Sequence, residues 1–317
     1  MDKHIHRRRF LVGSLGTALA ARAAAFPSTR AFAQEQVPDW EAVQKALGAS
    51  GQLMEGDVFR IGMPRTDLEV TVQGVSILPG FALGSYAAFK QVGSTPEETM
   101  VMGDLVLLDA ELNGAMSGLF AGGLEITGIH NHLNEIEPHV MYMHYMGRGD
   151  AVELAEGIRQ ALSTSGTPLD QTNPGGTPQG SATPVTELDV AQLERVLGYS
   201  GRVANGGIVG FSIGRAETIM EGDVELLPSM GVATAINFQP VEGGQAAITG
   251  DFLMIAAEVN PVARALHEHG IEVHALHNHH LMEEPRYFYM HFFAVGDPAE
   301  LAQGLRAALD QTNSAPG

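Results

Sequence analysis

An internal duplication constrains this chain more than any other feature. Ala46-Leu47-Gly48-Ala49-Ser50-Gly51 recurs as Val196-Leu197-Gly198-Tyr199-Ser200-Gly201, and Met63-Pro64-Arg65 recurs as Ile213-Gly214-Arg215. Further on, Asp104, Glu111 and Asn113 fall on Asp251, Glu258 and Asn260. From there the match runs without a gap: His130-Asn131-His132 on His277-Asn278-His279, Glu137-Pro138 on Glu284-Pro285, and Tyr142-Met143-His144 on Tyr289-Met290-His291. A repeat of this length means that one supersecondary unit is used twice. We read residues 34–173 and 188–317 as two repeat domains. Between them, residues 174–187 are rich in Pro, Gly, Ser and Thr and read as a flexible linker.

Each half carries the same local signals. Leu105–Leu108 and Phe252–Ile255 are apolar runs that lead into a helix, with Asn260 as N-cap before Pro261 in the second half. Those helices end at Gly, after Ala121 and His269. Leu124 to His132 then alternates with the period of a strand, and a second strand runs from Val140 to Met146, repeated as Tyr287 to Phe293. Asp150 and Asp297 each open a helix with Glu at the third helical position. The predicted class is α+β: a tandem strand-helix-strand-strand-helix sandwich with antiparallel sheets.

Charge narrows the function. The chain has 18 Lys+Arg against 37 Asp+Glu, and six of the basic residues lie within its first 33. A body this acidic repels phosphate backbones and anionic membrane surfaces, which argues against nucleic acid as a partner. There is no Cys, so disulfides, thiolate metal sites and cysteine nucleophiles are excluded together. Any metal chemistry has to run through His, carboxylates or Met.

The N-terminus reads as an address. Arg7-Arg8-Arg9 stands just before Phe10-Leu11, a stretch of small apolar residues follows, and Ala31-Phe32-Ala33 supplies a cleavage site. Residues 1–33 are therefore expected to be a twin-arginine signal peptide, too short in its apolar part to span a bilayer. The expected partner is the twin-arginine export machinery. The expected location is periplasmic or secreted, with no stable membrane anchor.

The histidines carry the chemistry. His130 and His132 are two apart on a strand and share a face, and His144 sits on the neighbouring strand. His277, His279 and His291 repeat the pattern. Two same-face imidazoles and a third from an antiparallel neighbour converge within reach of one ion, so each repeat is expected to hold its own metal site. Glu137 and Glu284, in the turns between these strands, are the candidate catalytic carboxylates, as oxygen ligand or general base. Zinc ranks first for such donors, with copper or manganese as alternatives. Glu111 and Glu258 read equally well as general bases or as acidic residues at helix starts. Tyr142 and Tyr289 share the face of His144 and His291, whereas Met143 and Met290 lie on the opposite face as core filling.

The duplicated His-Asn-His, Glu-Pro and Tyr-Met-His pattern resembles the LppY/LpqO family of exported bacterial proteins, over roughly residues 38–312. Without Cys there is no lipobox, so the resemblance implies a soluble rather than a lipid-anchored member. The pattern is also similar to the first cupin motif, although the intervening helices do not suit an all-β barrel. These readings together predict an exported metal-binding protein. It is either a metal-dependent enzyme, a hydrolase or lyase acting on a small molecule, or a non-catalytic buffer or carrier of the ion.

Overall fold

A computed structural model describes residues 37–169 and 186–317. The signal-peptide expectation and all but the end of the linker lie outside the described residues. In the first repeat the elements are α1 (Trp40–Leu47), β1 (Gly51–Met54), β2 (Val58–Pro64), β3 (Val70–Val72), β4 (Val75–Ile77), the short α2 (Pro79–Ala82), β5 (Gly84–Gln91), β6 (Thr99–Leu108), α3 (Leu112–Ala121), β7 (Glu125–His130), β8 (Ile136–Glu137), β9 (Val140–Gly149) and α4 (Ala151–Leu162). The second repeat follows with α5 (Val190–Leu197), β10 (Arg202–Val203), β11 (Val209–Ile213), β12 (Ile219–Glu221), β13 (Val224–Leu226), β14 (Thr234–Val241), β15 (Gln245–Ile255), α6 (Ala256–Glu268), β16 (Glu272–His277), β17 (Glu283–Glu284), β18 (Tyr287–Gly296) and α7 (Pro298–Leu309).

The duplication is visible in the strand order. One six-stranded antiparallel sheet runs β1-β2-β5-β6-β9-β7, and the other runs β10-β11-β14-β15-β18-β16. A small three-stranded sheet, β4-β3-β8 or β13-β12-β17, accompanies each. The predicted α+β class is what the structure shows.

Local chemistry explains the helix ends. Asp150 and Asp297 accept hydrogen bonds from the backbone N–H groups of the first turns of α4 and α7, with Pro298 at the first position of the latter. Helices α1 and α5 end at Gly48 and Gly198, whose φ values of 85° and 81° need a residue without Cβ. The third pair differs from expectation. Helix α6 starts at Ala256, so Pro261 lies inside it and Asn260 is not its cap. The cause is Glu258, whose carboxylate accepts from the Ile255 N–H at 3.0 Å and closes the helix start a turn earlier.

Glu258 is itself held by Arg215, and Glu111 by Arg65. Each guanidinium side chain is 1% exposed and also grips a second carboxylate, Asp67 or Glu217, two residues further on. These glutamates are therefore anchors tying strand, turn and helix together. Of the two readings of Glu111 and Glu258, the structure supports the helix-start one.

Side-chain alternation sets the layers. On β6, Val101, Leu105 and Leu107 pack with α1, α3 and α4 in a core belonging wholly to the first repeat. The second repeat has its own equivalent core beneath α5, α6 and α7, with Phe252, Met254, Met290 and Phe292. Met143 lies in the first of these cores and Met290 in the second, as the strand period predicts. The other faces of the sheets meet each other. Met100 and Met102 share a cluster with Leu253 and Tyr289, and Val106 and Tyr142 share one with Ala247 and Phe293. The described residues form one compact unit, with helices outside and the two sheets face to face within. What lies between the sheets therefore belongs to both repeats.

Candidate metal centre

Asp104 sits in the middle of β6, directly opposite His144 on β9, and Asp251 on β15 is directly opposite His291 on β18. Each Asp follows a glycine for a steric reason. A Cβ at Gly103 or Gly250 would collide with the backbone carbonyl of Tyr86 or Ala235 on the adjoining strand. The Gly250 carbonyl accepts from His291 Nδ1 at 2.9 Å. That bond fixes the tautomer and leaves Nε2 free to face inward. Strands β7 and β16 deliver His130 and His277 at their ends, with His132 and His279 in the turns just beyond.

The six histidines predicted to form two separate sites are brought together into one cluster. His130 stacks on His277 with ring centroids 3.5 Å apart, His132 on His291 at 3.7 Å, and His144 lies 3.9 Å from His279. Neighbours within a repeat are farther apart. The His130–His132 and His277–His279 separations are 5.0 Å, and His130–His144 is 4.9 Å. The three shortest contacts are thus cross-repeat ones, so the two triplets expected to form separate sites lie side by side. The reason is that both triplets project from the sheet faces that meet, not from faces turned to their own helices.

Ligand atoms converge in four combinations: His130 with His144 and His277, His130 with His132 and His291, Asp104 with His132 and His144, and Asp251 with His277 and His279. Two of the four mix histidines of both repeats. His130 Nε2 and His291 Nε2 are 3.3 Å apart. His279 Nε2 lies 3.2 Å from an Asp251 carboxylate oxygen, and His132 Nε2 lies 3.8 Å from Asp104.

Electrostatics favour a cation in this position. Burial, and then repulsion by the neighbouring imidazoles, pushes His130, His132, His144, His277 and His279 below the ordinary histidine range. They are therefore neutral and present lone pairs. Burial also raises both carboxyl groups, Asp251 to about 6, and Asp104 is raised further by Asp251 itself. Among the described residues, His132 Nε2, His144 Nε2, His279 Nε2, both nitrogens of His277, Asp104 Oδ1 and Asp251 Oδ1 are buried without a hydrogen-bond partner. Each such atom costs about 1–3 kcal/mol. A divalent cation held by one of these combinations would satisfy its donors and reverse the penalty on the carboxylate beside it. The donor set fits a metal.

Some sequence candidates lie away from the cluster and others flank it. Glu137 and Glu284 are exposed, pair across the small sheets with Thr71 and Met220, and take no part in the four combinations. Tyr142 donates to the Ala82 carbonyl at 2.9 Å while its ring stacks on His132. Tyr289 stacks on His279, and its buried hydroxyl has no partner among the described residues. His274 accepts from the Asn134 N–H at 2.9 Å and so joins the turn of one repeat to a strand of the other.

The carboxylates at the cluster are Asp104 and Asp251, which sequence reasoning used only to set the repeat register. A signal for them was present. Each is the one ionisable residue inside a mostly apolar strand, Met100–Leu108 or Ala246–Ile255, a placement that costs stability unless a cation or partner answers it.

A cavity of about 320 Å³ opens onto the cluster and is lined by Asp104, His132, His144, Asp251, His279 and His291 together with other residues. Fold and site define a duplicated α+β protein with one histidine–aspartate centre between its repeats. The chain belongs to the family described as Domain of Unknown Function (DUF1259), whose model matches it twice, over residues 41–164 and 191–311. No curated protein matches it. The crystal structure of a trimeric bacterial microcompartment shell protein, PduB, aligns with 84% of this chain and 95% of its own at 15% identity. The TM-score of that alignment is 0.20.

Proposed function

We propose that this protein is an exported, metal-dependent enzyme of the LppY/LpqO type, a hydrolase or lyase acting on a small molecule, with zinc as the first choice of ion. The observation that supports catalysis over storage is the cavity. Four of the six histidines and both aspartates border it, so a substrate reaches the donors directly. A buffer needs only a closed ligand shell. When bound, the ion supplies Lewis-acid chemistry. The chain's own contribution is to hold the donors in place. His291 is oriented by the Gly250 carbonyl, the two aspartates carry the compensating charge, and the apolar clusters on both sides keep bulk water away.

Export is supported by the arginine pair, the short apolar stretch and the small-residue site in the first 33 residues. Among the described residues no helix is long and apolar enough to cross a membrane. Elemental analysis of the protein purified from its exported form tests the metal reading. Stoichiometric divalent metal that survives brief exposure to a chelator is expected. Metal-free protein, or metal lost at once to the chelator as from a buffer, contradicts it. Replacing Arg7 and Arg8 with Lys is expected to leave unprocessed precursor inside the cell, and normal export of that variant contradicts the address.

A further inference from the structure

The donors at the centre obey the pseudo-twofold relation, but the side chains around the cavity do not. Arg60 on β2 pairs with Ala88, which pairs with Met102 on β6. In the second repeat the same register positions hold Gly210, Asn237 and Thr249. Tyr86, opposite Asp104, is matched by Ala235, opposite Asp251. One end of the cavity thus carries a guanidinium and a phenol where the other carries an amide, a hydroxyl and open space.

Arg60 is unusual in this chain. Among the described residues Arg65, Arg148, Arg215, Arg286 and Arg306 are held in ion pairs, and in the sequence acidic residues outnumber basic ones two to one. Arg60 has no carboxylate within ion-pair distance among the described residues. Its Nη1 donates to the Ser229 carbonyl at 2.9 Å, and its guanidinium carbon lies 3.7 Å over the Tyr86 ring. A guanidinium has five N–H donors. The single hydrogen bond leaves most of them without a protein acceptor.

The same side chain borders both the cavity at the histidines and a larger adjoining one of about 750 Å³ that includes Ser229, Gly231 and Ala235. Desolvation outweighs every other influence on the group and works against its charge. A partly buried cation, stacked in place and facing a cavity with its donors free, is suited to receive an oxyanion.

We propose that Arg60 binds an oxyanion group of the substrate, a carboxylate or a phosphate, beside the metal centre and at one end of the cavity only. The assignment rests on the metal-dependent reading above and adds to it the substrate's class and its orientation. The two-fold arrangement of donors alone accepts a substrate either way round. Arg60, with only Gly210 at the equivalent position, selects one direction.

The test uses the full metal-loaded chain, titrated calorimetrically with inorganic phosphate and, separately, with acetate. Metal content is measured on the same samples. Wild-type protein is expected to bind at least one of the two anions in the millimolar range or tighter. Arg60→Gln is expected to weaken that binding about tenfold or more, the worth of a charge-assisted bidentate contact, with metal content unchanged. Arg60→Lys keeps the charge, loses the fork, and is expected to fall between the two. It carries the test if Arg60→Gln does not fold. Phosphate binding without acetate binding assigns a phosphate group, and the reverse assigns a carboxylate. Equal affinities in wild type and the variants, or no binding of either anion, overturn the proposal. Protein that takes up no divalent metal, but whose anion binding still depends on Arg60, overturns the metal reading and leaves the anion site standing.

Discussion

His130 of the first repeat lies flat on His277 of the second, with ring centroids 3.5 Å apart and planes within 19° of parallel. The two residues hold equivalent positions in the repeats, so this contact lies close to the pseudo-twofold axis. A duplicated chain whose halves meet through the same strand faces brings identical donors together there, which is how two modest triplets become one centre with six imidazoles. Neither repeat has that donor set alone.

The carboxylates at this centre are expected to set its affinity. Asp104→Asn keeps the shape and removes the charge, and should weaken divalent metal binding about 10–100-fold, with Asp251→Asn behaving alike. Competition against a chelating dye measures this. Unchanged affinity in both variants contradicts a role for the aspartates.

The metal-free protein should lose stability as pH falls. His130, His132, His144, His277 and His279 have folded pKa values below the ordinary one. The unfolded chain therefore takes up protons below about pH 6.5 that the folded chain refuses. Asp104, Asp251, Glu221 and Glu283 are shifted upward and act in the opposite sense, but they are four groups against five. The denaturation midpoint of the metal-free form should fall between about pH 7 and pH 5. A flat or rising profile contradicts the burial of neutral histidines.

Glu221 and Glu283 pair across β12 and β17, where the first repeat has Val72 and Ile136. Both glutamates are buried and shifted upward, chiefly by desolvation, and Glu221 also by its neighbour Glu283. The folded state holds these protons more tightly, so the pair favours folding at acid pH and opposes it once both ionise. Combining Glu221→Val with Glu283→Ile should raise stability by about 1 kcal/mol or more near pH 8. The gain should shrink toward pH 4. A gain that is constant with pH contradicts this account.

The anchors Arg65 and Arg215 are expected to matter equally. Arg65→Met strands Asp67 and Glu111, and Arg215→Met strands Glu217 and Glu258. Each should cost about 3 kcal/mol in denaturant unfolding. A loss below about 1 kcal/mol, the value of a surface pair, contradicts the assignment.

Much of this architecture is legible in the chain. The repeat predicts two equivalent units, strand alternation places Met143 behind the sheet and His144 in front of it, and Asp150 and Asp297 mark helix starts. What the sequence does not carry is which sheet face meets which. Period-two patterning separates the faces of a strand but is silent on whether the second face meets its own helices or another sheet. That ambiguity is why the histidines read as two sites. The start of α6 was hidden for a related reason. Asn260-Pro261 looks like a cap, and only the Arg215 contact shows that Glu258 plays that part.

The central claim is that both repeats build one centre, and His130 tests it most directly. It belongs to two of the four donor combinations, and in each of them it meets a histidine of the other repeat. Elemental analysis of the full chain carrying His130→Ala, beside wild type purified in parallel, reads the outcome. A joint centre predicts that nearly all bound metal is lost, and that His277→Ala behaves identically. Retention of half the wild-type metal by each single variant, with complete loss only when both are combined, would show two independent sites and contradict the account.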